Sequence, residues 1–136
     1  RFGVRPPEAA KLVPALAAQR GETLVRHGAA TANALGLTTQ VPVREVYLTS
    51  GRTRQLKLGA QRVELQHAPP WQLLLPGQPA GDAVRALAWL GPESARGAVE
   101  ALRLALPASE VKALGALRTR MPTWMAQQVS GMLADA

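Results

Sequence analysis

The chain has no cysteine, which removes a disulfide framework, a thiolate zinc site and a cysteine nucleophile together. Histidine and aspartate are almost as scarce, with only His27, His67, Asp82 and Asp135. A serine nucleophile needs a base within hydrogen-bond reach and a group to orient it, and this supply is thin. His67 shares strand parity with Val63 and Leu65, so it reads as a hydrogen-bonded strand-end residue partly facing the core. His27, ahead of a glycine in a turn, reads as a solvated loop residue. Neither has carboxylates at ligand spacing, and no metal site is expected. The loops that cradle nucleotide phosphates, G-x-x-x-x-G-K-[ST] and G-x-G-x-x-G, are missing, as is a paired D-x-D for magnesium. The expectation is a protein that is not an enzyme and carries no cofactor.

Aromatic side chains are also few: one Phe, one Tyr and three Trp. Tyr47 is the only aromatic residue in the expected sheet, which argues against a surface that stacks several RNA bases. Trp71, Trp89 and Trp124 read as core anchors at element ends. No apolar run approaches the roughly 18 residues of a membrane span, and no charged-then-apolar leader opens the chain. A cytoplasmic protein without a membrane partner is expected.

What the chain does have is aliphatic residues and positive charge. Hydrophobic residues make up 47% of its 136 positions, enough for one domain with a largely helical, aliphatic core. The net charge of +7 is unevenly placed: residues 1–67 carry ten Lys/Arg against four Glu, the remainder six against five. Within the first half, Arg44, Arg52, Arg54, Lys57 and Arg62 fall on two expected hairpins with Glu45 as the nearby acid. Guanidinium groups bind phosphate bidentately and stay charged, so these five are the candidate residues for binding nucleic acid or another partner. The competing reading is that they solvate the sheet and protect its edges.

Periodicity predicts an α+β fold, with a small, mainly antiparallel sheet packed with helices and a helical C-terminal half. A helix is expected from Pro7 to Gly21, interrupted by Pro14, then a short strand at 23–26 and a small helix at 29–35. Val46 and Leu48, Leu56 and Leu58, and Val63 and Leu65 alternate with polar neighbours. Turns at Gly51 and Gly59 then predict an antiparallel meander, with the sheet-rich part at about 22–67. After the proline-rich connector, helices are expected near 80–90, 93–105, 108–119 and 122–134, the helical part covering about 79–135. Gly91-Pro92, Pro107 and Pro122 divide them, and sets such as Val84, Leu87, Leu90 or Met125, Val129, Met132 suit one buried stripe each.

The run Asn33-Ala34-Leu35-Gly36-Leu37-Thr38-Thr39-Gln40-Val41-Pro42, followed by Val46-Tyr47-Leu48-Thr49-Ser50-Gly51-Arg52-Thr53-Arg54, joins a helix end, a turn and a basic segment. Its order resembles the AbiEi-like antitoxin family of type IV toxin-antitoxin systems. There a similar run, N-x-L-G-L-[ST]-T-Q-x-P-x-x-x-x-Y-L-T-x-G, opens the sheet of the domain that follows an N-terminal winged helix. Met121-Pro122-Thr123-Trp124-Met125 adds a later match, so the likeness spans most of the chain. The resemblance implies a single domain over residues 1–136, the C-terminal antitoxin domain of a bacterial abortive-infection protein. Such a domain counteracts a nucleotidyltransferase-like toxin, with direct contact left open, and assists transcriptional autorepression through DNA binding at an operator by the full-length protein. Arg1 to Pro7 read as a connector leaving an upstream winged helix, and the prolines around Pro76 and Pro79 depart from the family pattern. The alternative is a solitary nucleic-acid-binding regulator domain without antitoxin activity.

Overall fold

The computed structural model describes residues 13–15 and 17–134. Most of the expected first helix lies outside these residues; within them, 13–15 and 17–19 are helical and Gly21, at φ 69°, turns the chain. Strand β1 (Leu24–Arg26) and helix α1 (Gly28–Ala34) follow. Gly36, at φ 77°, stops α1: its N–H bonds Asn33 O and the Leu37 N–H reaches back to Ala32 O. This is the left-handed glycine ending expected of Leu35-Gly36. Asn33 Nδ2 then donates to Gln40 O at 2.8 Å, and the Gln40 N–H bonds Thr38 Oγ1 at 3.2 Å. The Asn33–Gln40 run is therefore a geometric unit that caps a helix and aims the chain into the sheet.

The sheet is β2 (Glu45–Thr49), β3 (Arg54–Leu58) and β4 (Gln61–His67) together with β1, in the order β1-β2-β4-β3. Two of its three pairings are antiparallel, but β2 and β4 run parallel, Tyr47 opposite Leu65. The expected meander is thus corrected. Gly59, at φ 65°, does make a two-residue hairpin turn between Leu58 and Gln61. Gly51 instead lies in a crossover, Ser50 to Thr53, that passes the end of β4 and is tied there by His67 N–H to Thr53 Oγ1 and Ala68 N–H to Thr49 O. Burial explains the order. Val63 and Leu65 are almost completely buried and take the centre, whereas the Arg-Gln-Leu-Lys-Leu of β3 puts charges on an edge.

One sheet face carries Val63, Leu65, Leu24, Tyr47 and Leu56, and Val13 of the N-terminal helical segment packs on it. On the opposite face Val25 and Leu48 pack with Ala68 and Leu73 of a 3-10 turn, Pro70–Leu73. That cover stops at β2, so the β3–β4 half of this face is left to solvent, with Gln55, Lys57 and Arg62 exposed.

The C-terminal half holds α2 (Pro79–Ala105), α3 (Ala108–Ala116) and α4 (Thr123–Ala134). Gly91, at φ 84° and ψ 169°, breaks α2 before Pro92, because the residue preceding a proline avoids the helical region. The expected break and the expected apolar stripes are both present: Val84, Leu87, Leu102, Leu114, Met125, Val129 and Met132 share one buried cluster. Glu110 of α3 accepts the Ala80 N–H at 2.9 Å, placing a carboxylate at the positive end of α2. Among the described residues, no helix is long and apolar enough to cross a membrane.

Candidate functional site

Strand parity separates the five candidate cations. On β3 and β4 the core-facing positions are Leu56, Val63 and Leu65, so Gln55, Lys57, Arg62, Glu64 and Gln66 point the other way, onto the open half-face. Lys57 and Arg62 are direct cross-strand partners, both exposed, and neither has an ion pair among the described residues. Like charges set opposite each other cost stability. Arg44, just before β2, joins them by pairing with Glu64 at 3.1 Å while 70% of its side chain stays exposed. An ion pair this open contributes little and leaves the guanidinium available. Arg44, Arg62, Gln55 and Glu64 line a shallow depression of about 370 Å³ at this end of the sheet.

The other two expected site residues lie elsewhere. Arg52 is exposed in the crossover, at the opposite end of the strands from Lys57 and Arg62. Arg54 falls on the parity of Leu56 and faces the other side, where its Nη2 binds both oxygens of Glu22 at 2.9 and 3.1 Å. Both partners are 13% exposed, so this cation is neutralised inside the fold. Glu22 also accepts from Thr49 Oγ1 at 2.9 Å. The hydrogen bond from Arg54 is the main reason the Glu22 carboxyl is held below its usual range, with Thr49 adding to it and burial opposing. The arginine pattern alone does not reveal this division; the apolar alternation of β3, read strictly, puts Arg54 inward.

Both histidines are structural in ways the sequence shows only in part. His67 is hydrogen-bonded at a strand end as expected, Nδ1 to Gly51 O at 2.8 Å, but it is exposed and does not face the core. His27 is not a solvated loop residue: it is half-buried and caps α1, Nδ1 accepting the Ala29 N–H at 3.1 Å. Burial lowers its pKa, Arg44 reinforcing and Glu64 opposing. The unfolded chain takes up this proton near a pKa of about 6.5, so below that pH the unfolded state binds more protons. The stability contributed by neutral His27 is therefore full above about pH 6.5 and is lost as pH falls through the lower folded value. Urea unfolding followed between about pH 8 and about pH 5 is expected to show this loss. His27→Asn, which still caps without titrating, is expected to show a smaller loss than the natural chain.

Two of the tryptophans, Trp71 and Trp124, pack partly buried against the helical core as expected. Trp89 does not: it is 37% exposed. It stands at the end of the first arm of α2, beside Gly28, His27, Leu48 and Gln66 at the open half-face. Thus the surface has an aromatic platform that the strand sequences alone could not supply. Sequence reasoning also missed Arg85, whose side chain is fully buried against Asp82, 3.1 Å away. Its signal was present as Asp82-x-x-Arg85 within an otherwise small and apolar stretch, Ala80 to Ala88. No group of three His, Asp or Glu side chains among the described residues is arranged to hold a metal ion.

No curated protein and no solved structure matches the chain. A family model covering residues 1–104 does. Its span takes in the whole sheet, the cationic half-face and Trp89, and ends before α3 and α4. The chain belongs to that family, described as a family of unknown function, DUF6088.

Proposed function

We propose that this chain is the antitoxin-type body of a bacterial two-part regulator. It counteracts a nucleotidyltransferase-like toxin without chemistry of its own, and it lays the open half of its sheet against nucleic acid to support repression by the full-length protein. The observation that carries the binding part is the unpaired Lys57 opposite Arg62, joined by Arg44, on the β3–β4 half of a face, which no other described element covers. Such a cluster raises the local concentration of polyanions and makes affinity depend on salt. The antitoxin part rests on the resemblance of Asn33 to Gly51. A solitary nucleic-acid-binding regulator is the second reading, favoured by the same half-face, which requires no toxin.

Co-expression of the full-length protein with a neighbouring nucleotidyltransferase-like gene tests the first reading: growth rescue is expected, and failure to rescue leaves the solitary regulator. The role of the cations is tested with Lys57→Gln plus Arg62→Gln in the full-length protein. Affinity for operator DNA is expected to fall, and the slope of log K against log salt to shrink by about 1.4 to 1.8, at roughly 0.7 to 0.9 for each phosphate that is no longer neutralised. An unchanged slope rejects phosphate binding by this pair. Arg54 is unsuitable for this test, because its substitution would strand Glu22 inside the fold.

A further inference from the structure

Along β4 the open half-face changes character. At the Arg62 end it is cationic; four residues on, roughly 13 Å at a strand's rise, Gln66 borders a cleft of about 210 Å³ between the sheet and α2. Leu48, Ala68 and Ala88 contribute apolar wall, and Trp89 stands at its edge. The volume lies below the roughly 300–1,000 Å³ of pockets for drug-sized ligands, which suits a single ring system.

Three of the polar side chains lining the cleft, His27, Gln66 and Gln72, offer complementary donors and acceptors, beside His67 and the Asp82-paired Arg85. Because His27 Nδ1 accepts the Ala29 N–H, its neutral ring carries the proton on Nε2 and can donate from there. Gln66 gives its Nε2 to Glu64 Oε2 at 2.9 Å, leaving its carbonyl oxygen as an acceptor. The Gln72 side-chain amide has no partner among the described residues and also lines the cleft. Arg85 borders it too: its Nη1 and Nη2 are committed to Gln72 O, Leu74 O, Leu75 O and Asp82, while its buried Nε has no hydrogen-bond partner among the described residues. The guanidinium lining the cleft is already paired with Asp82, so it offers a bare anion no unpaired charge. A flat, neutral heterocycle with donors and acceptors at its rim would meet the partly exposed Trp89 and matching amides, while cations wait at the other end of the same face.

We propose that this cleft takes one unpaired nucleobase, stacked on Trp89 and held at its edge by His27, Gln66 and Gln72, with the adjoining phosphates on Arg62, Lys57 and Arg44. This deepens the nucleic-acid reading above and rests on it: the preferred strand is single, because a base inside a duplex already has its stacking and pairing partners. A free nucleotide offers the same ring, so the source is settled by the test.

The chain is titrated with a labelled single-stranded oligonucleotide of mixed sequence, with its duplex, and with nucleoside monophosphates, following anisotropy and tryptophan emission. The single strand is expected to bind at least about tenfold tighter than the duplex and to quench emission. Trp89→Phe keeps binding but removes most of the quenching. Trp89→Ala weakens single-strand binding roughly 5- to 100-fold, the loss of one stacked base, without altering the salt slope. Quenching by monophosphates at similar concentrations identifies a free nucleotide as a sufficient source; quenching by the oligonucleotide alone identifies the strand. Trp89→Ala retains the β-carbon that packs on Gly28; if it nonetheless unfolds, Gln66→Leu with Gln72→Leu is the second variant, expected to lose single-strand preference. Equal affinity for duplex and single strand, or unchanged affinity in folded Trp89→Ala or in the double variant, overturns the base cleft while leaving the phosphate face standing. No binding of any nucleic acid overturns both.

Discussion

Arg85→Met is expected to lower the stability of the chain by about 3–5 kcal/mol, the usual cost of removing one partner from a buried ionic network. That is a large share of the roughly 5–15 kcal/mol that holds a domain together. The guanidinium has no exposed surface and serves four acceptors: Nη1 bonds Gln72 O at 3.0 Å and Leu74 O at 2.9 Å, and Nη2 bonds Leu75 O and Asp82 Oδ1. Three of these are carbonyls of the chain entering α2, where Leu75 sits at φ 48°, the one described non-glycine residue in the left-handed region. Such a backbone persists only when its surroundings overdetermine it, and Arg85 is the clamp. Desolvation pulls the Arg85 pKa down, while its hydrogen bond to Asp82 holds it up. Arg85→Lys is expected to rescue little, since one ammonium cannot reproduce a planar fork aimed at separate acceptors. Urea unfolding of the three proteins checks this: a loss under about 1 kcal/mol for Arg85→Met would mean the carbonyls find water instead.

Gly28→Ala is expected to be the next most damaging change, although helix propensity alone predicts a gain of about 0.5–1 kcal/mol for replacing a helical glycine. A β-carbon at residue 28 would overlap the Arg85 carbonyl oxygen and lie 2.7 Å from the Trp89 β-carbon. Both obstacles are fixed by α2, one being backbone, so relief requires α1 to lift away from its neighbour. Overpacking of this kind costs about 1–3 kcal/mol and more where backbone must shift. The expected result is a loss of about 2–3 kcal/mol on that basis, together with an altered Trp89 emission spectrum. A stabilised protein with unchanged emission would contradict the close approach of the two helices.

Of these two positions, Arg85 left a local signal in Asp82-x-x-Arg85, whereas nothing local marks the close approach at Gly28. Periodicity was sufficient for the helices after residue 79, because each carries a stripe of Leu, Val or Met and is delimited by Gly91-Pro92, Pro107 or Pro122. It was also sufficient for the strands, whose alternation fixes which side chains face Val13. It could not give their order. Whether β3 lies beside β2 depends on how Thr49, Gly51, Thr53 and His67 bond across the crossover, and no local pattern encodes those bonds. The five cations were legible as a basic segment, and the strict alternation of β3 puts Arg54 inward, but its partner Glu22, 32 positions earlier, was not legible. Trp89 was out of reach for the same reason: its neighbours at the cleft come from α1, β2 and β4.

The crossover also sets an order of events during synthesis. The strand that must slot into the middle of the sheet, β4, is the last of the four to leave the ribosome, and β2 has only β1 for company until then. A β-hairpin closes in roughly 1–10 μs, far faster than translation adds residues. Thus β3 and β4 can arrive as a preformed pair, and the parallel seam with β2 can close only once β4 has emerged, with Val63 and Leu65 already in line.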